Sequence, residues 1–427
     1  MRWLWPIVPH PIALEIKVSP AQNTPASKWR VHYAVTGAAL AAIAALCTVT
    51  WQTQSPRQGL LLLTGVALGI TLYHASFGFT AAFRVLLADG RSAGVRAQMI
   101  MLGLACILFF PALAAGILFG QPVSGFVAPA GVSVVVGAFM FGGGMQLGGG
   151  CGSGTLFAVG GGNTRMGITL AFFIAGSVTG LEHLPFWEAM PALPPVSLVE
   201  VWGWPAALAA HLAVFACVYF CAAMIEQRRH GSLQALGGSL PMAGFLPALW
   251  RGPWPLLAGA LALAILNFLT LYLAGRPWGI TSAFALWGAK AMAMAGFDMS
   301  AWASWSDAGQ QAALTGSVLA DITSVMDFGL MLGALAAAGL ARNFRPGWRI
   351  PAGQIASAII GGLLMGYGAR LSYGCNIGAF FSGIASGSLH GWLWIVCAMA
   401  GNWAGMMLRP FFGMSVERPA APQTART

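Results

Sequence analysis

The sequence predicts an all-α polytopic membrane protein, and its composition and hydropathy are the observations behind this prediction. Only 7% of the 427 residues are charged, against about 25% in ordinary soluble domains. The hydrophobic share is 58% and is spread along the whole chain rather than confined to one segment. Runs of about 20 mainly apolar residues, the length that crosses the hydrocarbon core, recur along the chain. We therefore expect about ten transmembrane helices, with shorter half-helices between some of them.

The position of each span follows from hydropathy. The ten candidate spans cover residues 34–51, 58–76, 96–119, 130–147, 166–183, 205–225, 254–274, 322–341, 352–369 and 388–408. Four apolar pieces between them are too short to cross: Phe77 to Leu87, Ser153 to Val159, Gly279 to Met292, and Asn376 to Ile384. Pieces of this length are typical of half-helices or re-entrant segments.

The distribution of Lys and Arg in the short loops predicts the orientation. Basic residues concentrate in the N-terminal tail and in the loops that carry Arg84, Arg228 and Arg345, whereas the loop with Glu182 and Glu188 has neither Lys nor Arg. We expect a multi-pass protein of the bacterial inner membrane with both termini cytoplasmic. The first 30 residues hold five prolines before any long apolar run, which favours a tail over a cleavable signal. The basic residues in the predicted cytoplasmic loops then explain the net charge of +10. The sequence has no basic stripe of the kind that would indicate nucleic-acid binding.

Two glycine-rich cysteine loops, about half a chain apart, repeat one pattern. GAFMFGGGMQLGGGCGSG (137–154) aligns without a gap on GGLLMGYGARLSYGCNIG (361–378), cysteine on cysteine. FGFTAAF (77–83) likewise resembles WGITSAF (278–284), and IAGSVTG (174–180) resembles MAGNWAG (399–405). Such a loop breaks its helix at membrane depth, where unpaired backbone survives only if it is buried in protein or lines a polar cavity. The two copies therefore predict two halves of one site.

The number of spans between the copies predicts their relative orientation. Five spans separate the starts of the two copies, an odd number, so we expect the copies to enter the membrane from opposite sides. Inverted repeats with broken helices at the midplane are the architecture of many secondary transporters. The predicted organisation is an N-terminal tail (1–33), an extra span (34–57), a first repeat (58–226), a cytoplasmic linker (227–252), a second repeat (253–412) and a C-terminal tail (413–427).

Three strings identify a family resemblance. HASFGFTAAFR, GMQLGGGCGSGTLF followed by GGGNTRM, and GARLSYGCNIGAFFSGI resemble the YeeE/YedE family of sulfur-compound transporters, whose studied members take up thiosulfate. The resemblance runs from about the second span to the last. It implies an hourglass-shaped helical protein in which loop cysteines hand the anion across by contacts from S–H to sulfur. Cys151 and Cys375 match the family's two loop cysteines, and Gly78 stands where the family has a third.

The residues around these cysteines suit a sulfur anion. Half-helix N-termini supply free backbone N–H groups and partial positive charge. Gly150, Gly152 and Gly374 let the backbone approach the ligand, and Asn376 adds a side-chain donor. A neutral thiol is a weak donor with a polarisable surface, which suits a soft terminal sulfur.

Two further polar residues occupy aligned positions, five residues before each cysteine. Arg370 has two interpretations: it attracts the anion, or it extends its charge to the membrane interface. Gln146 either donates to the substrate or ties down loop carbonyls. Both belong to the predicted substrate site.

Three functions from different classes remain open at this stage. The favoured one is uptake of thiosulfate or a related sulfur anion, with a selenium analogue as an alternative substrate. The second is a membrane thiol–disulfide enzyme in which Cys151 and Cys375 cycle between thiol and disulfide. The third is a platform for a soluble sulfur carrier of the TusA-like or rhodanese kind, partners that the resemblance implies. The sequence has no CxxC, HExxH, P-loop or nucleophile-elbow motif, so we expect neither an enzyme nor a cofactor or metal site.

Overall fold

The computed structural model describes residues 26–237, 249–299, 302–305 and 308–417. Most of the predicted N-terminal tail, part of the predicted cytoplasmic linker and the last ten residues of the predicted C-terminal tail therefore lie outside the described residues. The helices are α1 (Ala26–Thr53), α2 (Pro56–Ala75), α3 (Phe79–Ala88), α4 (Ala93–Ala115), α5 (Val132–Gly148), α6 (Gly152–Gly160), α7 (Thr164–Glu182), α8 (Leu184–Glu188), α9 (Leu198–Trp202), α10 (Trp204–His230), α11 (Leu256–Ala274), α12 (Thr281–Met294), α13 (Ala308–Thr315), α14 (Ile322–Leu340), α15 (Ala352–Leu371), α16 (Asn376–Ala385) and α17 (Leu389–Leu408).

The remaining regular structure is short. The first seven residues of α16, Asn376–Ser382, are π-helical. Three 3₁₀ turns cover Ala303–Trp305, Val318–Ala320 and Arg409–Phe412. Two antiparallel pairs of two-residue strands join β1 (Ile117–Leu118) to β2 (Gln121–Pro122), and β3 (Ala130–Gly131) to β4 (Ala192–Leu193).

Within the described residues, ten helical stretches are long and apolar enough to cross a membrane. They coincide with the ten predicted spans, and the prediction of an all-α polytopic membrane protein is confirmed. The four predicted short pieces are separate helices: α3, α6, α12 and α16. Hydropathy underestimated α10, which continues past the predicted end to His230 because Arg228 and Arg229 are polar yet favourable near a helix C-terminus.

Both cysteine loops break their helix through residues with positive φ and leave the cysteine extended. After α5, Gly149 takes φ +92° and Cys151 is extended (φ −87°, ψ −165°) before α6 begins. After α15, Tyr373 and Gly374 take φ +57° and +154°, and Cys375 is extended (φ −103°, ψ −168°) before α16 begins. Each cysteine is therefore the N-cap of a short helix, as the aligned motifs predict.

Helices α5 and α15 pack against each other at the centre of the molecule. A Cβ added at Gly137 would stand 2.7 Å from the Gly368 carbonyl oxygen, so small residues set this close approach. Each of the two helices also packs against a long helix of the other predicted repeat, α5 against α17 and α15 against α7, and α7 and α17 carry the aligned strings IAGSVTG and MAGNWAG. The pairs α2 with α14 and α4 with α11 correspond in the same way. Helices α1 and α10 pack outside these pairs, α1 on α14 and α2, and α10 on α4 and α9.

Candidate functional site

The two cysteine loops meet in the interior of the protein. A Cβ added at Gly152 would stand 3.0 Å from the Cys375 Sγ, so the second cysteine lies against the backbone of the first loop. Both cysteines are free thiols, with 1% of Cys151 and none of Cys375 exposed. The fold therefore brings the two loops together, as the sequence predicts.

The thiols differ in their surroundings. The Cys151 Sγ accepts from the Gly154 N–H at 3.4 Å and lies 3.4 Å from the Ser153 Oγ. Cys375 caps α16 without a side-chain cap hydrogen bond. The Cys375 thiol is thus the less engaged of the two.

Asn376 stands beside Cys375 at the N-terminus of α16. Its side chain is fully buried, and neither amide atom has a hydrogen-bond partner among the described residues. Leaving a buried polar group unpaired costs about 1–3 kcal/mol, and each unpaired buried group in a folded protein calls for an explanation. A bound anion that accepts from Asn376 Nδ2 would satisfy the donor.

Gln146 and Arg370 each fasten the end of a long helix to the first turn of a short one. The Gln146 Nε2 donates to the Thr80 carbonyl at 3.1 Å and to the Asn402 Oδ1 at 2.8 Å. The Arg370 guanidinium donates to the Thr281 Oγ1 at 2.9 Å. Thr80 and Thr281 occupy equivalent positions of the repeated FGFTAAF and WGITSAF strings. The Gln146 amide nitrogen thus binds a carbonyl of α3 rather than a loop carbonyl.

Arg370 keeps an unused donor. Its Nε is buried without a hydrogen-bond partner among the described residues. This buried N–H fits the interpretation in which Arg370 attracts an anion better than the one in which its charge extends to the interface.

Packing and backbone conformation account for the three predicted glycines. A Cβ at Gly150 would stand 2.9 Å from the Met166 Cε, and one at Gly152 would meet Cys375. Gly374 has φ +154°, a conformation that L residues rarely adopt. These glycines allow the loops to close on each other.

Gly78, at the position of the family's third cysteine, has space in front of it. It is the N-cap of α3, with φ −112°. A Cβ added there would meet only Ala81 Cβ at 3.8 Å and Ser76 O at 3.9 Å. A cysteine at this position would therefore fit without strain.

Several residues that sequence reasoning did not place in the site lie next to it. The Phe380 ring lies 6.3 Å from the Phe79 ring, 6.4 Å from that of Phe83 and 6.3 Å from that of Trp394. Thr80 Oγ1 is buried without a partner among the described residues. Thr80 could have been identified from the sequence, because Thr281 occupies the equivalent position of the second repeat.

A cleft of about 370 Å³ opens beside the second loop. Its lining includes Tyr373, two residues before Cys375, together with Pro129, Trp187 and Glu188. Glu188 belongs to the loop that the charge distribution assigns to the outer side. The cleft therefore reaches the Cys375 loop at Tyr373.

The described residues thus contain ten helical stretches long and apolar enough to cross a membrane, together with two buried, abutting cysteine loops, and they define a polytopic membrane protein. The sequence profile of the Sulphur transport family matches residues 74–404. The chain therefore belongs to the Sulphur transport family, and the predicted YeeE/YedE resemblance is confirmed.

Three relatives are similar to this chain. The Probable transporter YedE of Escherichia coli K12 is 34% identical over 168 residues, and that of Salmonella typhimurium LT2 is 32% identical over the same length. Each alignment covers 38% of this chain and 40% of the relative, so the chain spans less than half of the YedE proteins it matches. The Thiosulfate transporter TsuA of Spirochaeta thermophila is 27% identical over 365 residues, which cover 80% of this chain and 96% of TsuA.

Proposed function

We propose that the protein carries thiosulfate or a related sulfur-containing anion across the bacterial inner membrane, along a path between the two cysteine loops. Membership of the Sulphur transport family and the alignment with TsuA over most of both chains support the proposal. The observation that carries it is Asn376, a fully buried amide with no partner among the described residues, beside Cys375 where the loops meet.

The substrate site in this proposal consists of Cys151, Cys375, Asn376, Arg370 and the glycine backbone of the loops. The anion arrives through the cleft at Tyr373. Its oxygens accept from the Asn376 amide and the Arg370 Nε, and its terminal sulfur accepts from the Cys375 S–H. The anion then passes to the Cys151 thiol at the N-terminus of α6, where backbone N–H groups favour negative charge. Thiol contacts are weak, which favours release as well as binding.

The proposed pathway lies between two inverted repeats, 58–226 and 253–412. The matched packing of α5 with α17 and of α15 with α7 supports this division. In the proposed orientation, the termini, the 227–252 linker, the end of α3 with Arg84 and the loop with Arg345 are cytoplasmic. A TusA-like or rhodanese carrier on that side is the partner implied by the family resemblance, and co-purification with the full chain would test it.

A thiol–disulfide enzyme is the alternative that these cysteines raise. It requires Cys151 and Cys375 to form a disulfide during the reaction. The transport proposal requires both thiols to stay reduced. Mass spectrometry of protein that is active in uptake tests the thiol relay: both cysteines should be reduced, and a permanent disulfide between them would contradict it.

Competition in proteoliposomes tests the substrate. The purified chain should take up radiolabelled thiosulfate, and unlabelled thiosulfate should compete better than sulfate, because sulfate has the charge and size but no soft terminal sulfur. Sulfite and selenite in the same assay test the related substrates. Equal competition by sulfate and thiosulfate would contradict recognition of the terminal sulfur.

A further inference from the structure

The C-terminal segment Gly413–Glu417 folds back toward the first cysteine loop. Gly413 takes φ +68° after the 3₁₀ turn Arg409–Phe412 and reverses the chain. The Arg409 Nε donates to the Ser415 carbonyl at 3.0 Å, and the Met414 N–H donates to the Arg409 carbonyl at 3.1 Å. Met414 is 9% exposed, so its side chain is packed against the protein.

Two arginines connect this segment to the end of α5, directly before Cys151. The Arg165 guanidinium donates to the Leu147 carbonyl at 2.6 Å and to the Met414 Sδ at 3.4 Å. A Cβ at Gly149 would stand 2.6 Å from Arg165 NH1, so this cation lies against the cysteine loop itself. Arg409 NH1 donates to the Gln146 carbonyl at 2.7 Å.

A third arginine holds the last described residue. The Arg84 Nε donates to both Glu417 carboxylate oxygens, at 3.0 and 2.8 Å, and Arg84 NH2 donates to Oε1 at 2.8 Å. Arg409 lies within electrostatic reach of Arg84, Arg165 and Glu417. Arg84 thus binds the Glu417 carboxylate directly, Arg409 lies within electrostatic reach of it, and Arg165 lies within electrostatic reach of Arg409. These four residues carry two positive charges in excess.

Glu417 is an anion in this arrangement. Partial burial raises the pKa of its carboxyl, but the hydrogen bonds and charge of Arg84, together with the charge of Arg409, outweigh burial and lower the pKa below its ordinary value. Guanidinium forks bind sulfur and phosphorus oxyanions in the same bidentate way as carboxylates. A site that holds this carboxylate therefore has the donors to hold an oxyanion.

We propose that Arg84, Arg165 and Arg409 form a second binding site for a sulfur oxyanion with two negative charges. The site lies on the side of Cys151 away from Cys375. Glu417 occupies it in the resting protein. The site rests on the proposed function, because it receives the anion that leaves Cys151. The C-terminal segment then closes the path until the anion displaces the carboxylate. The segment should close the path in the same way whichever sulfur oxyanion the protein transports.

Thiol accessibility tests the closure without requiring transport. The full chain is treated on its C-terminal face with a membrane-impermeant maleimide, and modification of Cys151 is followed by mass spectrometry. Glu417→Gln should be modified at least about tenfold faster than the parent, because it loses one charge-assisted pair. Asp89→Asn is the matched control: Asp89 pairs with Arg91 and His230 outside the cluster, so this variant should match the parent.

Protection by thiosulfate tests the binding site. Thiosulfate should slow Cys151 modification in Glu417→Gln, in which Arg84 has lost its carboxylate partner, and should protect Arg84→Gln less. Equal modification rates in parent and Glu417→Gln would overturn the closure, and equal protection of both variants would overturn the site. If Cys151 is modified faster in Glu417→Gln than in the parent, but neither protein takes up a sulfur anion, the closure stands and the proposed function fails. If parent and Glu417→Gln take up the anion normally and Cys151 is labelled at the same rate in both, the proposed function stands and the closure fails.

Discussion

At the residue scale, the two loops align in sequence but differ in chemistry. Cys151 is followed by Gly152 and a serine, and its sulfur is already engaged with Ser153 and Gly154. Cys375 is followed by Asn376, whose amide has no partner among the described residues. An unpaired donor beside a less engaged thiol suits binding, whereas the engaged thiol suits transfer. We therefore expect the second loop to determine affinity.

Asn376→Ala should weaken transport without weakening the fold. Loss of a hydrogen bond to a charged group costs about 1.5–3 kcal/mol, so the half-saturating thiosulfate concentration should rise by about tenfold or more. Thermal stability should stay constant or increase, because an unpaired buried amide is removed. Uptake in proteoliposomes and thermal unfolding in detergent measure the two effects.

Asn267→Ala is the matched control for this variant. Asn267 is equally buried, but it donates to Ser382 Oγ at 3.2 Å and accepts from the Trp278 N–H at 2.9 Å. Its replacement should lower the free energy of unfolding by about 1–3 kcal/mol. If Asn376→Ala is destabilised as strongly as Asn267→Ala, the Asn376 amide is structural and not a substrate donor.

Gly78→Cys should raise affinity. The position has space for the side chain, and one weak hydrogen bond of about 0.5–1.5 kcal/mol lowers the half-saturating thiosulfate concentration by a few-fold. Gly78→Ala adds the same Cβ without the thiol and should behave as the parent in the same uptake assay. An equal effect of alanine and cysteine would remove sulfur recognition from this position.

At the element scale, the breaks in α5 and α15 decide where the cysteines lie. The sequence predicted both breaks because the two glycine-containing cysteine motifs align without a gap and each is followed by an apolar piece too short to cross the membrane. It did not predict that Gln146 and Arg370 reach the first turns of α3 and α12, since those contacts join residues far apart in the chain. The sequence likewise did not predict the π-helical start of α16.

Gly374→Ala should destabilise the protein by about 1–3 kcal/mol, the cost of holding an L residue in a rarely populated backbone conformation. The added Cβ would also stand 2.8 Å from the Ala379 backbone nitrogen. Gly378→Ala, in the same segment, is the control, because no atom lies within 4 Å of its added Cβ. Thermal unfolding of both variants in detergent measures the difference. Equal melting temperatures would show that the φ of Gly374 does not constrain the loop.

At the scale of the whole molecule, hydropathy alone predicted the ten spans, because each crosses the same thickness of hydrocarbon. The packing that closes the first cysteine loop was not predictable, because it joins Arg84 to Glu417 across 333 residues. Such contacts leave no periodicity or spacing in the sequence. The inverted relation of the repeats stays a prediction, supported by matched helix pairs.

Topology mapping tests the orientation. Single cysteines placed near Arg229 and Arg345 should be labelled from the cytoplasm, and one near Glu188 from outside, because Lys and Arg favour the cytoplasmic side. Asp307, assigned to the outer side with Glu188, lies outside the described residues. Cytoplasmic labelling near Glu188 would invert the orientation and, with it, the direction of the pathway.

The most direct test of the central claim, that two loop thiols carry the anion, is uptake of radiolabelled thiosulfate by single-cysteine substitutions in proteoliposomes. Cys151→Ala and Cys375→Ala should each abolish uptake at unchanged protein abundance. Cys217→Ala and Cys221→Ala, at exposed positions of α10, should keep parental uptake. Parental uptake by both Cys151→Ala and Cys375→Ala would contradict the account.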